Sequence, residues 1–291
     1  MRARLPVAAL VGAALLFGIT FVVVKDAVAT FPPLAFVGWR FLIGAAMLLL
    51  LAWPRGTGVW RDGMIAGLWL FAGFALQTAG LVTTGASNSA LITGLYVVLT
   101  PLFAALWHRR PPSPWMVVAT VISFMGLALL TVGDSFRPAS GDLLTLGCAA
   151  GFAGHIVFLS RSASRHPVVP FTAVQLLTTA ALGLASSLVV DGPTLPDGDV
   201  LGAIALTGLG VSAVAFLLQV WAQTSLGPGR TAVILTLEPV FGIAAAALVL
   251  GERLDVGGWI GAVLILSGIE LALLKAQDPD TVEAESISPA A

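Results

Sequence analysis

Glu238 and Pro239 stand side by side within a long apolar stretch, residues 229–249. A carboxylate there lies roughly 13 Å along a helix that rises about 1.5 Å per residue, and it is too short to reach water. Charge at that depth is costly, so such a residue is by default a functional candidate. Two readings fit Glu238: it meets a solute or a proton, or it pairs with a neighbouring helix for packing. Pro239 supplies no N–H and clashes with the carbonyl four residues back, which frees the Leu235 acceptor beside the acid. Arg40 sits six residues into another apolar run. It is either a cation facing a polar cavity or a long side chain snorkelling to the interface. His155 is a candidate proton carrier, or else a hydrogen-bonded packing residue. Gln77, Gln219 and Gln175 are amides suited to lining a polar cavity or to bonding helix to helix. Tyr96, Trp39 and Trp221 are candidate cavity walls, although such rings also populate interfacial belts. Pro101, Pro239 and Pro32 are candidate hinges.

The same inventory excludes other chemistries. One cysteine, Cys148, permits neither an intrachain disulfide nor a cysteine metal site. No His-Glu-x-x-His and no Walker-type glycine loop occurs, so no catalytic residue, metal or cofactor is expected and ATP is not the driving force. Net charge is −1 with no basic patch, which argues against nucleic acid.

The elements that position these residues follow from the solvent. The 291 residues are 58% hydrophobic and 10% charged, whereas a soluble domain carries about 25% charged residues. So few charges cannot cover a water-facing surface; the solvent is lipid. A crossing helix needs about 20 apolar residues. Candidate spans are 5–24, 34–53, 63–83, 88–107, 114–132, 140–160, 168–189, 199–222, 229–249 and 255–274, separated by turn-rich stretches such as Phe31-Pro32-Pro33 and Arg165-His166-Pro167. The run from Leu5 to Val24 exceeds a signal-peptide core and reads as an uncleaved first helix. With the N-terminus inside, inner segments carry ten basic residues (Arg2, Arg4, Arg55, Arg61, Arg109, Arg110, Arg161, Arg165, Arg230, Lys275) and outer loops three (Lys25, Arg137, Arg253). That bias is the positive-inside signature. It predicts ten transmembrane helices with both termini cytoplasmic, and a polar tail, 276–291, without structure.

Sliding the chain on itself exposes a duplication. At an offset of 135, Gly12, Phe17, Pro32, Phe36 and Leu42 meet Gly147, Phe152, Pro167, Phe171 and Leu177; Gln175 stands opposite Arg40. Further on the offset is 142, where Gln77 meets Gln219 and Gly126 meets Gly268, with Pro101 and Pro239 matching at 138. The expected organisation is therefore 1–137 and 138–275. An odd number of spans per copy makes the second copy run in the opposite sense. Inverted repeats suit a carrier, because equivalent halves can exchange conformations around a shared site.

Phe17-Gly18-Ile19-Thr20-Phe21 through Lys25, Pro32-Pro33, Arg40-Phe41, Leu237-Glu238-Pro239-Val240-Phe241 and Leu250-Gly251-Glu252-Arg253-Leu254 together resemble the drug/metabolite transporter superfamily, in its ten-helix EamA-type branch. The resemblance covers residues 5 to 275. It implies an all-α integral membrane bundle of two inverted five-helix repeats around a central cavity, with the fifth and tenth helices peripheral. It also implies export of amino acids, metabolites or toxic compounds. The first half departs from the pattern: Thr100, not a glutamate, precedes Pro101. The expected function is a secondary transporter in the inner (plasma) membrane, working by alternating access. A membrane-embedded enzyme or a non-transporting sensor is the alternative. Expected partners are a small-molecule solute and the bilayer, with a homodimer left open.

Overall fold

The computed structural model describes residues 4–84, 86–131, 140–250 and 256–274, without some side chains within these stretches. The Gly251 to Leu254 part of the family-like stretch, the basic residues Arg2, Arg137, Arg253 and Lys275, and the tail 276–291 lie outside them. Among the described residues there is helix and no strand. The helices are α1 (Arg4–Thr30), α2 (Pro33–Leu51), α3 (Thr57–Leu81), α4 (Ala86–Gly94), α5 (Tyr96–His108), α6 (Pro114–Thr131), α7 (Gly141–Ser162), α8 (Val168–Val190), α9 (Gly198–Leu206), α10 (Phe216–Gln223), α11 (Pro228–Leu235), α12 (Leu237–Leu250) and α13 (Val256–Leu274). Among the described residues, seven stretches are long and apolar enough to cross a membrane, including Leu91–His108 and Val200–Gln223; Arg4–Ile19 and Pro114–Leu129 are shorter apolar helices.

Two expected single helices are broken and a third is distorted. The 88–107 run divides at Leu95 into α4 and α5, and the 229–249 run divides at Thr236 into α11 and α12. Pro239 withholds its donor from the Leu235 carbonyl at the second break, whereas Pro101 lies inside α5, beyond the first. The Thr236 hydroxyl folds back onto the Val233 carbonyl at 2.6 Å. The 199–222 run is continuous but carries a π-helical segment, Thr207–Ala215, between α9 and α10.

Large apolar side chains cover the outside: Leu50, Leu106, Leu143, Val189 and Trp259 are exposed. Helices tolerate such a solvent because they satisfy their own backbone groups internally. Within the bundle, α2 packs along α8, α6 along α13, α3 against α7 and α8, and α1 against α12, α10 and the π-helical segment. Under the sequence offsets these interfaces come in mates. The α3–α7 contact corresponds to α1–α10, the α5–α7 contact to α1–α12, and α2–α8 and α6–α13 are each their own mate.

The α6–α13 crossing shows that pairing at atomic scale. A Cβ on Gly126 would stand 2.6 Å from the Gly261 carbonyl oxygen, and one on Gly268 would stand 2.8 Å from that of Ala119. Gly126 and Gly268 are offset mates, as are Ala119 and Gly261. Both carbonyl oxygens belong to the backbone and cannot rotate away, and the Ser123 hydroxyl crowds the Gly268 position as well. Gly268→Ala is expected to lower the thermal unfolding temperature of the detergent-solubilised protein, by an overpacking cost of ~1–3 kcal/mol. An unchanged melting curve would show that the crossing relaxes freely.

Candidate functional site

A cavity of about 90 Å³ lies between the helices, space for roughly half a dozen waters. Its polar lining is Arg40, Gln77, Thr78, Tyr96, His155, Gln219 and Glu238. Six of the eight residues expected to bind solute therefore meet in one place, although they come from six different helices.

The wall is aromatic. Phe17, Phe36, Phe74, Phe152 and Phe216 all line it. Phe74 touches Phe152 edge-on with centroids 5.1 Å apart, and Phe17 touches Phe216 at the same 5.1 Å. Phe17 and Phe152 are offset mates, as are Phe74 and Phe216, and Gln77 and Gln219. Edge-to-face rings pack rigidly and leave an apolar surface whose π faces tolerate cations.

Arg40 is only 3% exposed, and it does not snorkel. Its guanidinium carbon sits 4.9 Å from the Phe74 centroid and 5.0 Å from that of Phe41. Its Nε donates to the Ser212 hydroxyl at 3.2 Å. Glu238 occupies the first turn of α12, just past the Thr236 break. Its backbone is held close to α1, because a Cβ on Gly18 would collide with the Glu238 carbonyl oxygen and stand 2.8 Å from the Gly242 nitrogen. Among the described residues no carboxylate pairs with Arg40 and no cation pairs with Glu238. One positive and one negative group thus face the same small cavity without neutralising each other.

Gln77 donates to the Thr93 hydroxyl at 3.4 Å. His155 Nε2 lies 2.7 Å from Gln175 Oε1, an amide acceptor that requires the ring hydrogen on Nε2. Gln175 itself is fully buried behind His155 and does not line the cavity, and its Nε2 has no partner among the described residues. Trp39 also departs from expectation. Its indole N–H donates to the Thr194 carbonyl at 3.1 Å, tying α2 to the segment between α8 and α9. That bond holds the indole against the α8–α9 segment and away from the cavity that Arg40 lines. Of the three expected hinges, Pro101 and Pro239 follow helix breaks, and Pro32 sits immediately before α2.

The cavity is skewed toward one end. Val24 near the end of α1, Phe36 in the first turn of α2 and Leu81 at the end of α3 all line it, so it reaches toward the α1–α2 connection. Below Gln219 the opposite end is sealed by a ladder. Gln219 Nε2 donates to Gln223 Oε1 at 3.2 Å, and Gln223 Nε2 donates to the Ile156 carbonyl at 2.8 Å and to the Ser160 hydroxyl at 2.7 Å. Beyond that ladder Asp62 gathers Arg61 Nε at 3.0 Å, Arg165 Nη2 at 3.4 Å and His166 Nε2 at 2.8 Å, fastening α3 to the α7–α8 connection. Sequence reading missed Ser212, Gln223 and Asp62. The phenylalanine pair Phe74 and Phe216 was missed too, although the offset of 142 relates them.

The EamA-like transporter family matches residues 4–132 and again residues 139–274. The chain belongs to that family. An uncharacterized transporter of Archaeoglobus fulgidus is 31% identical over 90% of this chain and 83% of its own length. A probable amino-acid metabolite efflux pump of Escherichia coli is 26% identical over 87% of this chain and 89% of its own length. A protein crystal structure 23% identical in sequence superposes with a TM-score of 0.77, covering 93% of this chain and 98% of that one, and so shares the fold. This EamA-like chain is accordingly a multi-pass membrane transporter and not an enzyme.

Proposed function

We propose that this protein is a secondary carrier that exports a small zwitterionic solute of the amino-acid class by alternating access. The observation that carries the reading is the pair Arg40 and Glu238, unpaired with each other and facing one aromatic-walled cavity. A guanidinium matches a carboxylate bidentately, and a carboxylate matches an ammonium. A solute bearing both groups satisfies both side chains at once, and a cavity with room for half a dozen waters suits its size. The efflux-pump name of the E. coli relative supports the direction and the class.

The halves are 1–137 and 138–275, each of five crossings, with both chain ends in the cytoplasm and the protein in the inner membrane. The two family matches and the mated interfaces support that division. In this orientation the cavity opens outward, toward the α1–α2 connection, and the Gln219–Gln223–Ser160 ladder closes the cytoplasmic side. Exchange of roles between equivalent interfaces then moves the opening from one side to the other.

Counterflow into proteoliposomes, measured with radiolabelled L-amino acids, tests the reading. Unmodified amino acids are expected to compete at least about tenfold better than their N-acetyl or carboxamide analogues, since loss of one charge-assisted bond is worth ~1.5–3 kcal/mol. Equal competition by both analogues, or no counterflow of any amino acid, overturns it.

A further inference from the structure

We propose that Ser212, presented by the π-helical segment, is the residue that positions Arg40 for solute recognition; this rests on the reading of Arg40 as the solute's anion partner. Three contacts fix the guanidinium: the Phe41 ring, the Phe74 ring and the Ser212 hydroxyl. The last one selects an orientation. An arginine can offer a carboxylate either its side edge, Nε with one Nη, or its end, the two Nη groups. Ser212 occupies Nε at 3.2 Å, so the end of the fork is the edge left for the cavity.

The backbone is built to bring the serine there. A Cβ on Gly44 of α2 would stand 2.8 Å from the Gly208 carbonyl oxygen and 2.9 Å from Ser212 Cβ, and one on Gly208 would stand 2.8 Å from the Arg40 carbonyl oxygen. Two glycines therefore let α2 and the π-helical segment touch backbone to backbone beside Arg40. The π turn sets the register. Its bonds join residues five apart, so Val211 and Phe216, which both line the cavity, fall near one face while Ser212 stays buried against α2. In a regular α-helix five residues advance by about 140°, which would turn one of the two away.

The arrangement is made once, between the two halves, and is not repeated at the mated contact. The offset mate of Ser212 is Leu70, fully buried in the regular helix α3, and the mate of Arg40 is Gln175. A duplication relic would be expected in both copies. A device confined to the half-pair that carries the cation points to a role tied to that cation.

Counterflow of a radiolabelled L-amino-acid mixture, with Ser212→Ala and Arg40→Lys singly and together, tests it. Ser212→Ala is expected to raise the half-saturating concentration about tenfold, the scale of one charge-assisted bond, with the maximal rate kept within about twofold. Lysine has no Nε donor for Ser212, so adding Ser212→Ala to Arg40→Lys is expected to change nothing further. An unaltered half-saturation in Ser212→Ala, beside a raised one in Arg40→Lys, overturns the proposal. Independent, multiplying effects overturn it too, since those describe a packing role. If the wild type moves no amino acid, the solute reading fails with the proposal. Thermal unfolding of Ser212→Ala, Arg40→Gln and the double variant then separates the two failures: non-additive shifts retain the Arg40–Ser212 bond, and additive shifts remove it.

Discussion

Arg40→Gln is expected to reduce saturable amino-acid counterflow by about a hundredfold or more while the protein stays folded. The expected loss follows from removing a bidentate charge-assisted pair, ~3 kcal/mol. The expected stability follows from a partial cancellation. Glutamine gives up two ring contacts of the order of 0.5–2 kcal/mol. It also relieves the bundle of a buried cation that no carboxylate among the described residues neutralises, a desolvation cost of several kcal/mol. Glutamine is what the second half already carries at the matching position, Gln175, where it is fully buried. The measurement is counterflow beside thermal unfolding of the same preparation. Retained transport at wild-type half-saturation removes Arg40 from the solute site. A collapse of the melting temperature together with transport assigns it to packing instead.

Much of the fold was legible because lipid imposes a simple rule on composition. Scarce charge and apolar runs of about 20 residues place helices within a few residues of their observed ends: 114–132 became α6 at Pro114–Thr131, and 168–189 became α8 at Val168–Val190. The breaks at Leu95 and Thr236 and the π-helical segment were not legible, since hydropathy measures burial in lipid and is blind to hydrogen-bond register. Depth was readable and azimuth was not. Arg40 and Trp39 are neighbours at nearly the same depth, yet one faces the cavity and the other a loop carbonyl. What decides between them is the backbone contact of Gly44 with Gly208, a pair 164 residues apart in a chain of 32 glycines. Asp62 was illegible for a similar reason. Its tightest partner, His166, lies 104 residues away, so nothing local marks it. The internal offset reaches the aromatic wall as well. It pairs Gln77 with Gln219, and at the same value it pairs Phe74 with Phe216, so the cavity's aromatic wall was already written in the repeat.

Glu238→Gln separates a solute ligand from a residue that acts in the conformational cycle. If Glu238 holds the ammonium, the loss falls on that group alone. Counterflow of amino acids drops by at least about tenfold, whereas carboxylic acids of the same skeleton without the amine, already poor solutes, lose almost nothing. A site built around a polar group discriminates by the partner it leaves unpaired. Glutamine keeps the shape of the side chain and the close approach of Gly18 to the Glu238 carbonyl, so α12 stays seated on α1 and the comparison is not confounded by repacking. If instead Glu238 drives the exchange between the two openings, both kinds of solute slow by the same factor, and wild-type half-saturating concentrations survive. The two outcomes differ in a ratio of ratios, which no change in protein yield or membrane insertion can imitate. Read with Arg40→Gln, which is expected to strike every carboxylate-bearing solute alike, the variant assigns each end of the cavity to one end of the molecule it carries.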